Sequence, residues 1–176
     1  MGVGQEVVID YLGTAYGSLP IEYVIEDAPL GTGGALARAV AAVDELPVLA
    51  LNGDTFSDID YQEMLEAHRP AESPLTIAMR RVEDAGRYGC IELENGRIVG
   101  FGADGAAGSE LVNIGTYVVG KRLFTGWPEL FSFATIFCQL RRHACGRSPI
   151  SADGWFIDIG VPEDYQAAKR AFATDA

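Results

Sequence analysis

The sequence predicts a single α/β domain, residues 1–176, built on a mixed sheet. Three observations carry that expectation. Short runs rich in β-branched and aromatic residues alternate with helical patterns along most of the chain. One of them, Val48-Leu49-Ala50-Leu51, is continuously apolar, the type that a parallel sheet buries on both faces. Asn95-Gly96 sits between two further strand-like runs and is the strongest short hairpin signal, so an antiparallel insertion interrupts the alternation.

The elements follow in order. Glu6 to Leu12 (EVVIDYL) spaces its apolar residues helically, and Gly13 to Pro20 reads as a loop. Ile21 to Glu26 (IEYVIE) has the composition of a strand. Pro29 to Gly34 breaks the chain, and Ala35 to Leu46 is rich in good helix formers. After the Val48–Leu51 strand, Asp60 to His68 reads as a helix whose early acidic residues suit the positive end of its dipole. Leu75 to Val82 is a strand. Tyr88 to Glu94 and Arg97 to Phe101 form the hairpin arms, and Leu111 to Val119 is a further strand. A helix is expected around Phe133 to His143, then a last strand over Phe156 to Gly160. Pro162 to Phe172 closes the chain as a helix, with proline early and Glu163 and Asp164 in the first turn.

Composition narrows the function. Acidic residues outnumber basic ones 25 to 13, for a net charge of -12. A nucleic-acid groove needs a basic stripe, so that class is excluded. A bound phosphate must then rely on backbone N–H groups, a few placed cations or a metal. No apolar run is long enough to span a membrane, and the first residues lack the features of a signal peptide. Cys90, Cys138 and Cys145 have no zinc-like spacing and read as reduced cytoplasmic thiols.

Three stretches could carry chemistry. Leu30-Gly31-Thr32-Gly33-Gly34-Ala35 lies between a strand and a helix, where glycines admit a ligand to the backbone or simply permit a tight turn and close packing. It is neither the dinucleotide fingerprint nor a P-loop. Asn52-Gly53-Asp54 follows the apolar strand directly, at the strand end where open α/β sheets bind ligands. Asp54 either faces that crevice or caps a turn. In Phe156-Ile157-Asp158-Ile159-Gly160 an Asp interrupts an apolar strand, which is costly unless the carboxylate is paired. Asp54 and Asp158 across one crevice would suit a Mg2+ ion, which takes one or two carboxylates plus substrate phosphates. Alternatively, Asp158 accepts backbone hydrogen bonds. Asp58-Ile59-Asp60 matches a weak metal-binding pattern of glycosyltransferases, but Asp60 is better read as a helix N-cap. His68 and His143 read as surface residues.

Taken together, PLGTGGAL, VLALNGDTF, RYG, VNIGTY and FIDIGVPEDY resemble, in this order, the sugar-1-phosphate nucleotidyltransferases, closest to the heptose 1-phosphate and mannose 1-phosphate guanylyltransferases. The resemblance runs from about Gln5 to Phe172. It implies a Rossmann-like, GT-A-type, three-layer fold with a mixed sheet and a hairpin insertion. It implies nucleotide contacts at Leu30, Gly31, Gly33, Gly34, Asn52 and Gly53, a sugar pocket at Tyr88, Gly89 and Asn113, and Mg2+ held by Asp54 and Asp158. The implied reaction transfers a nucleotidyl group, GMP from GTP, to a sugar 1-phosphate with release of pyrophosphate.

The family also opens with a strand, a Gly-Gly-x-Gly-Thr-Arg loop and a Lys-Pro pair, none of which is found here, and a later Glu-Lys-Pro element is replaced by Gly100-Phe101-Gly102-Ala103-Asp104. The expectation is therefore an N-terminally incomplete domain missing its first strand. Its sheet edge would stay open unless covered by another chain, as in a homo-oligomer. Arg80, Arg81 and Arg87 are the cations that could substitute for those lost. Two other readings follow: a degenerate nucleotide or sugar-phosphate binding subunit, and a DxD-type glycosyltransferase.

Overall fold

A computed structural model describes residues 4–44, 47–68, 74–83, 88–95, 97–102, 110–124, 126, 128, 131–132, 135–136, 149–151 and 154–173. The chain begins with α1 (Gln5–Leu12), a small hairpin of β1 (Ala15–Tyr16) and β2 (Leu19–Pro20), and α2 (Gly31–Ala41). Then come β3 (Val48–Leu51), β4 (Thr55–Ser57), α3 (Tyr61–His68), β5 (Leu75–Arg81), β6 (Cys90–Glu94), β7 (Arg97–Gly102) and β8 (Leu111–Val119). A 3-10 turn over Lys121–Phe124 precedes β9 (Pro149–Ser151), β10 (Phe156–Asp158) and α4 (Pro162–Phe172).

β8 organises the main sheet. It pairs antiparallel with β3, β5 and β6, while β6 pairs with β7 and β5 pairs in parallel with β9. The sheet is thus mixed, as the sequence predicts. Side chains alternate across it. Leu75, Ile77, Met79, Tyr117 and Val119 join Val40 of α2 in one buried cluster. Ala78, Val112, Ile114 and Val118 join Met64 of α3 in the other. A helix on each face makes three layers. β4 and β10 form a separate antiparallel ribbon. It is tied to the sheet by the buried hydroxyls of Ser57 and Thr116, 3.5 Å apart, and by packing of Phe156 on the α3-side cluster.

Several expectations change. Ile21 to Glu26 has no regular secondary structure, because a β-rich composition forms a strand only where a neighbouring ladder receives it. β3 keeps its predicted bounds, but it runs antiparallel to β8 rather than within a parallel set. It is half-buried, with Leu51 51% exposed. Among the described residues β3 pairs with β8 alone. His68 is not a surface residue: it is 8% exposed, and its Nδ1 lies 2.9 Å from the Thr76 hydroxyl. Burial lowers its pKa from the usual 6.5. Asp60 does cap α3, its carboxylate accepting the Glu63 N–H at 3.0 Å. The helix expected over 133–143 falls mostly outside the described residues, as do Cys138, Cys145 and His143. Among the described residues no helix is long and apolar enough to cross a membrane.

Candidate active site

The glycine-rich stretch is not a loop before a helix but the first turn of α2 itself. Gly31 takes φ 71°, and a Cβ there would stand 2.6 Å from the Phe131 carbonyl oxygen. The N–H groups of Gly33 and Gly34 donate to that same oxygen, at 3.1 and 3.2 Å. A Cβ on Gly33 would meet the Phe131 ring at 2.4 Å. Phe131 therefore takes the close approach that these glycines permit and satisfies two of the helix's first N–H groups. Just upstream, Glu26 accepts the Leu30 N–H at 3.1 Å, a bond that lowers the carboxyl's pKa.

The ribbon makes the two aspartates singled out by sequence backbone neighbours. Asp158 stands opposite Thr55 in the ladder, and the Ile159 N–H donates to the Asp54 carbonyl at 2.9 Å. The Thr55 hydroxyl donates to Asp54 Oδ1 at 3.3 Å. Asp158 is half-buried and accepts the Gly160 N–H at 2.8 Å. That satisfies one of its oxygens in the manner considered as its structural role. Asp54 is exposed, and neither aspartate is in a salt bridge among the described residues. The described residues hold no cluster of three or more metal-ligating side chains. Exposed Asp54 and half-buried Asp158 each offer the hard carboxylate oxygens that Mg2+ accepts when phosphates complete its shell.

The sugar-pocket residues also converge. The Asn113 N–H donates to the Gly89 carbonyl at 2.9 Å, beside Tyr88. The Tyr88 ring packs edge-on against Phe156 of the ribbon at 5.7 Å. Asn113 Nδ2 donates to the Tyr117 hydroxyl at 2.6 Å, and its Oδ1 accepts the Gly115 N–H at 3.1 Å. Burial pushes the Tyr117 hydroxyl up to about 12, so it stays protonated at any working pH. The Asn52 N–H donates to the Gly115 carbonyl at 2.8 Å. A cavity of about 430 Å3 is lined by Thr32 and Leu36 of α2, Asn52 and Gly53 after β3, and Asn113 and Tyr117 of β8. Of the residues assigned from sequence, Asn52 and Gly53 on the nucleotide side and Asn113 on the sugar side share this cavity, while Leu30, Gly31, Gly33, Gly34, Tyr88 and Gly89 are not among its lining.

Three contributors escaped sequence reasoning. Thr55 lies between the aspartates, in a strand too short to announce itself. Tyr117 reads as a core residue of an apolar strand. Lys169 of α4 lines a second cavity of about 500 Å3 together with Asp54, Thr55 and Ile159. Its ammonium sits 5.7 Å from the Tyr165 ring centroid, which holds it along the helix. The substitute cations are otherwise engaged. Arg80 donates to the Gly154 carbonyl and lies over Phe156. Arg81 pairs with Glu110 at 2.7 Å, and Arg87 lies outside the described residues.

Known proteins resemble this chain in sequence and fold. The family model described as nucleotidyl transferase matches residues 5–174. The D-glycero-alpha-D-manno-heptose 1-phosphate guanylyltransferase of Aneurinibacillus thermoaerophilus is 33% identical over 174 residues, covering 96% of this chain and 74% of the relative. The Campylobacter jejuni protein of the same name is 34% identical over 163 residues, covering 91% and 71%. The crystal structure of HddC from Yersinia pseudotuberculosis complexed with GMP-PN superposes with a TM-score of 0.79 at 30% identity, covering 95% of this chain and 74% of that one. With the family model spanning nearly the whole chain and relatives above 30% identity over most of their length, this chain belongs to the nucleotidyl transferase family.

Proposed function

We propose that the chain transfers GMP from GTP to a manno-configured sugar 1-phosphate, heptose or mannose, and releases pyrophosphate. A phosphate oxygen of the sugar 1-phosphate attacks the α-phosphorus of GTP. The new P–O bond forms there as the bond to the bridging oxygen of the β-phosphate breaks. The observation that supports this reading is the β4–β10 ladder, which sets the backbones of Asp54 and Asp158 side by side directly after Gly53 of the cavity lined by Asn52 and Asn113. The guanine assignment is supported by the names of the relatives and by the GMP-PN complex of HddC.

Asp54 and Asp158 would hold Mg2+, which supplies charge neutralisation for the phosphates. The chain's own residues bind and align. On the nucleotide side, Thr32 and Leu36 of α2 face the cavity with Asn52 and Gly53, while Leu30, Gly31, Gly33 and Gly34 shape that turn of α2 against Phe131. Tyr88, Gly89 and Asn113 frame the sugar side. Catalysis of this kind is mainly positioning and electrostatic stabilisation, so no general base is required. Lys169, which lines the same cavity wall as Asp54, would supply a positive charge for the departing phosphate.

The test is pyrophosphate release by Asp54→Asn and Asp158→Asn. Each asparagine keeps an oxygen for the bond already made, from Thr55 or from Gly160, so the change is one of charge. Release should fall on the order of 100-fold or more in each. An Asp54→Asn variant as fast as the parent would remove the assignment.

A further inference from the structure

We infer that Tyr117 is a positioning residue, whose hydroxyl holds the Asn113 carboxamide in one orientation so that a substrate hydroxyl meets an amide N–H at the cavity wall. This rests on the proposed transfer to a sugar 1-phosphate.

The geometry begins with an irregularity in β8. Opposite it, β5 moves from Ile77 to Met79, whereas β8 moves from Tyr117 to Asn113. Two residues of β5 are matched by four of β8. A regular strand would separate residues four apart by about 13 Å, while the β5 step measures about 7 Å. The surplus is taken up in a bulge, with Gly115 at φ 72°. Asn113 and Tyr117 occupy positions of the same parity, so their side chains leave the same face of β8. The bulge shortens the distance between them until Nδ2 and the hydroxyl meet at 2.6 Å.

The carboxamide is fixed at both ends. The Gly115 N–H is an obligate donor, so the atom facing it at 3.1 Å must be Oδ1. The atom facing Tyr117 is then the amide nitrogen. A flipped amide would set its NH2 against the Gly115 N–H, donor against donor. With one proton of Nδ2 directed to Tyr117, the second is left to donate. Both Asn113 and Tyr117 line the cavity of about 430 Å3. Tyr117 is 6% exposed and packs in the same core cluster as Ile77 and Val119. Its ring is therefore anchored, and a fixed neutral donor suits a sugar hydroxyl better than a phosphate.

Tyr117→Phe keeps the ring and removes the hydroxyl. In steady-state assays with GTP and mannose 1-phosphate, KM for the sugar phosphate should rise about three- to tenfold, the cost of one neutral hydrogen bond. Values of kcat and of KM for GTP should stay within about twofold. In an Asn113→Ala background the same change should add nothing, since the group it positions is gone. Equal losses with and without Asn113, or a rise in KM for GTP alone, would overturn the inference. A merely structural tyrosine would also lower stability without splitting the two KM values.

The side-chain amide resonances of Asn113 give a readout independent of turnover. They should be shifted and slow to exchange in the parent and lose both properties in Tyr117→Phe, while the Gly115 amide is unmoved. Unchanged Asn113 resonances would refute the positioning role whatever the kinetics. If the parent released no pyrophosphate with any sugar phosphate, the proposed reaction would fall, and these resonances would still decide whether Tyr117 orients Asn113.

Discussion

Gly115→Ala should be among the costliest single-methyl additions in this protein. At φ 72° an L residue with a side chain is strained, which costs roughly 1–2 kcal/mol. The added Cβ would also stand 2.5 Å from Asn52 Nδ2, 2.6 Å from its Cγ and 3.0 Å from its Cβ. The backbones cannot simply part, because the Asn52 N–H is bonded to the Gly115 carbonyl at 2.8 Å. Asn52 must leave its rotamer, at about 0.5–1.5 kcal/mol. The sum is about 2–3 kcal/mol, or a melting temperature lower by about 4–12 °C for a chain of this size. Urea denaturation of parent and variant measures it directly, with an unchanged m-value showing that only stability has moved. In an Asn52→Gly background the steric part disappears, and Gly115→Ala should cost only about 1–2 kcal/mol, the backbone part. A variant within about 0.5 kcal/mol of the parent, or the same loss in both backgrounds, would refute the packing of Asn52 on Gly115.

Gly33→Ala improves helix propensity by up to about 1 kcal/mol but drives a methyl to 2.4 Å from the Phe131 ring. It should destabilise the parent by about 1–2 kcal/mol net, yet become neutral or stabilising in a Phe131→Ala background, as read by the same denaturation assay. His68 gives a pH dependence whose sign is fixed by its environment. Burial lowers its folded pKa below 6.5, so the unfolded chain takes up a proton first as pH falls. The stability contributed by the neutral ring is complete above pH 6.5 and declines from there toward the lower folded value. Denaturation midpoints compared across that window should show a steeper loss in the parent than in His68→Asn, and equal slopes would remove His68 as the cause.

Much of the fold was legible because its signals were local. The cap at Asp60, the proline and acidic first turn of α4, and the bounds of β3 and β8 all depend on neighbours within a few residues. What misled was context that only the assembled chain supplies. Ile21 to Glu26 has a strand's composition but no ladder to join. The apolar run of β3 reads as doubly buried, yet it pairs with β8 alone among the described residues. β4 and β9 have three residues each, too few for any periodicity. At the site, Asp54 and Asp158 announced themselves as carboxylates beside apolar runs. Tyr117 did not, because its role depends on a bulge, and the register of β8 against β5 cannot be read from β8 itself. Nor could sequence foresee that the Phe131 carbonyl meets the N–H groups of Gly33 and Gly34 from nearly a hundred residues away.

The central claim is the bond that is broken. Incubating the protein with GTP, mannose 1-phosphate and Mg2+, and following the mixture by 31P NMR, tests it most directly. Pyrophosphate should appear together with a nucleotide sugar in equal amounts, and neither should appear when the sugar phosphate is left out. Orthophosphate or GDP as the phosphorus product, or no product from either the manno-heptose or the mannose phosphate, would contradict nucleotidyl transfer by this chain.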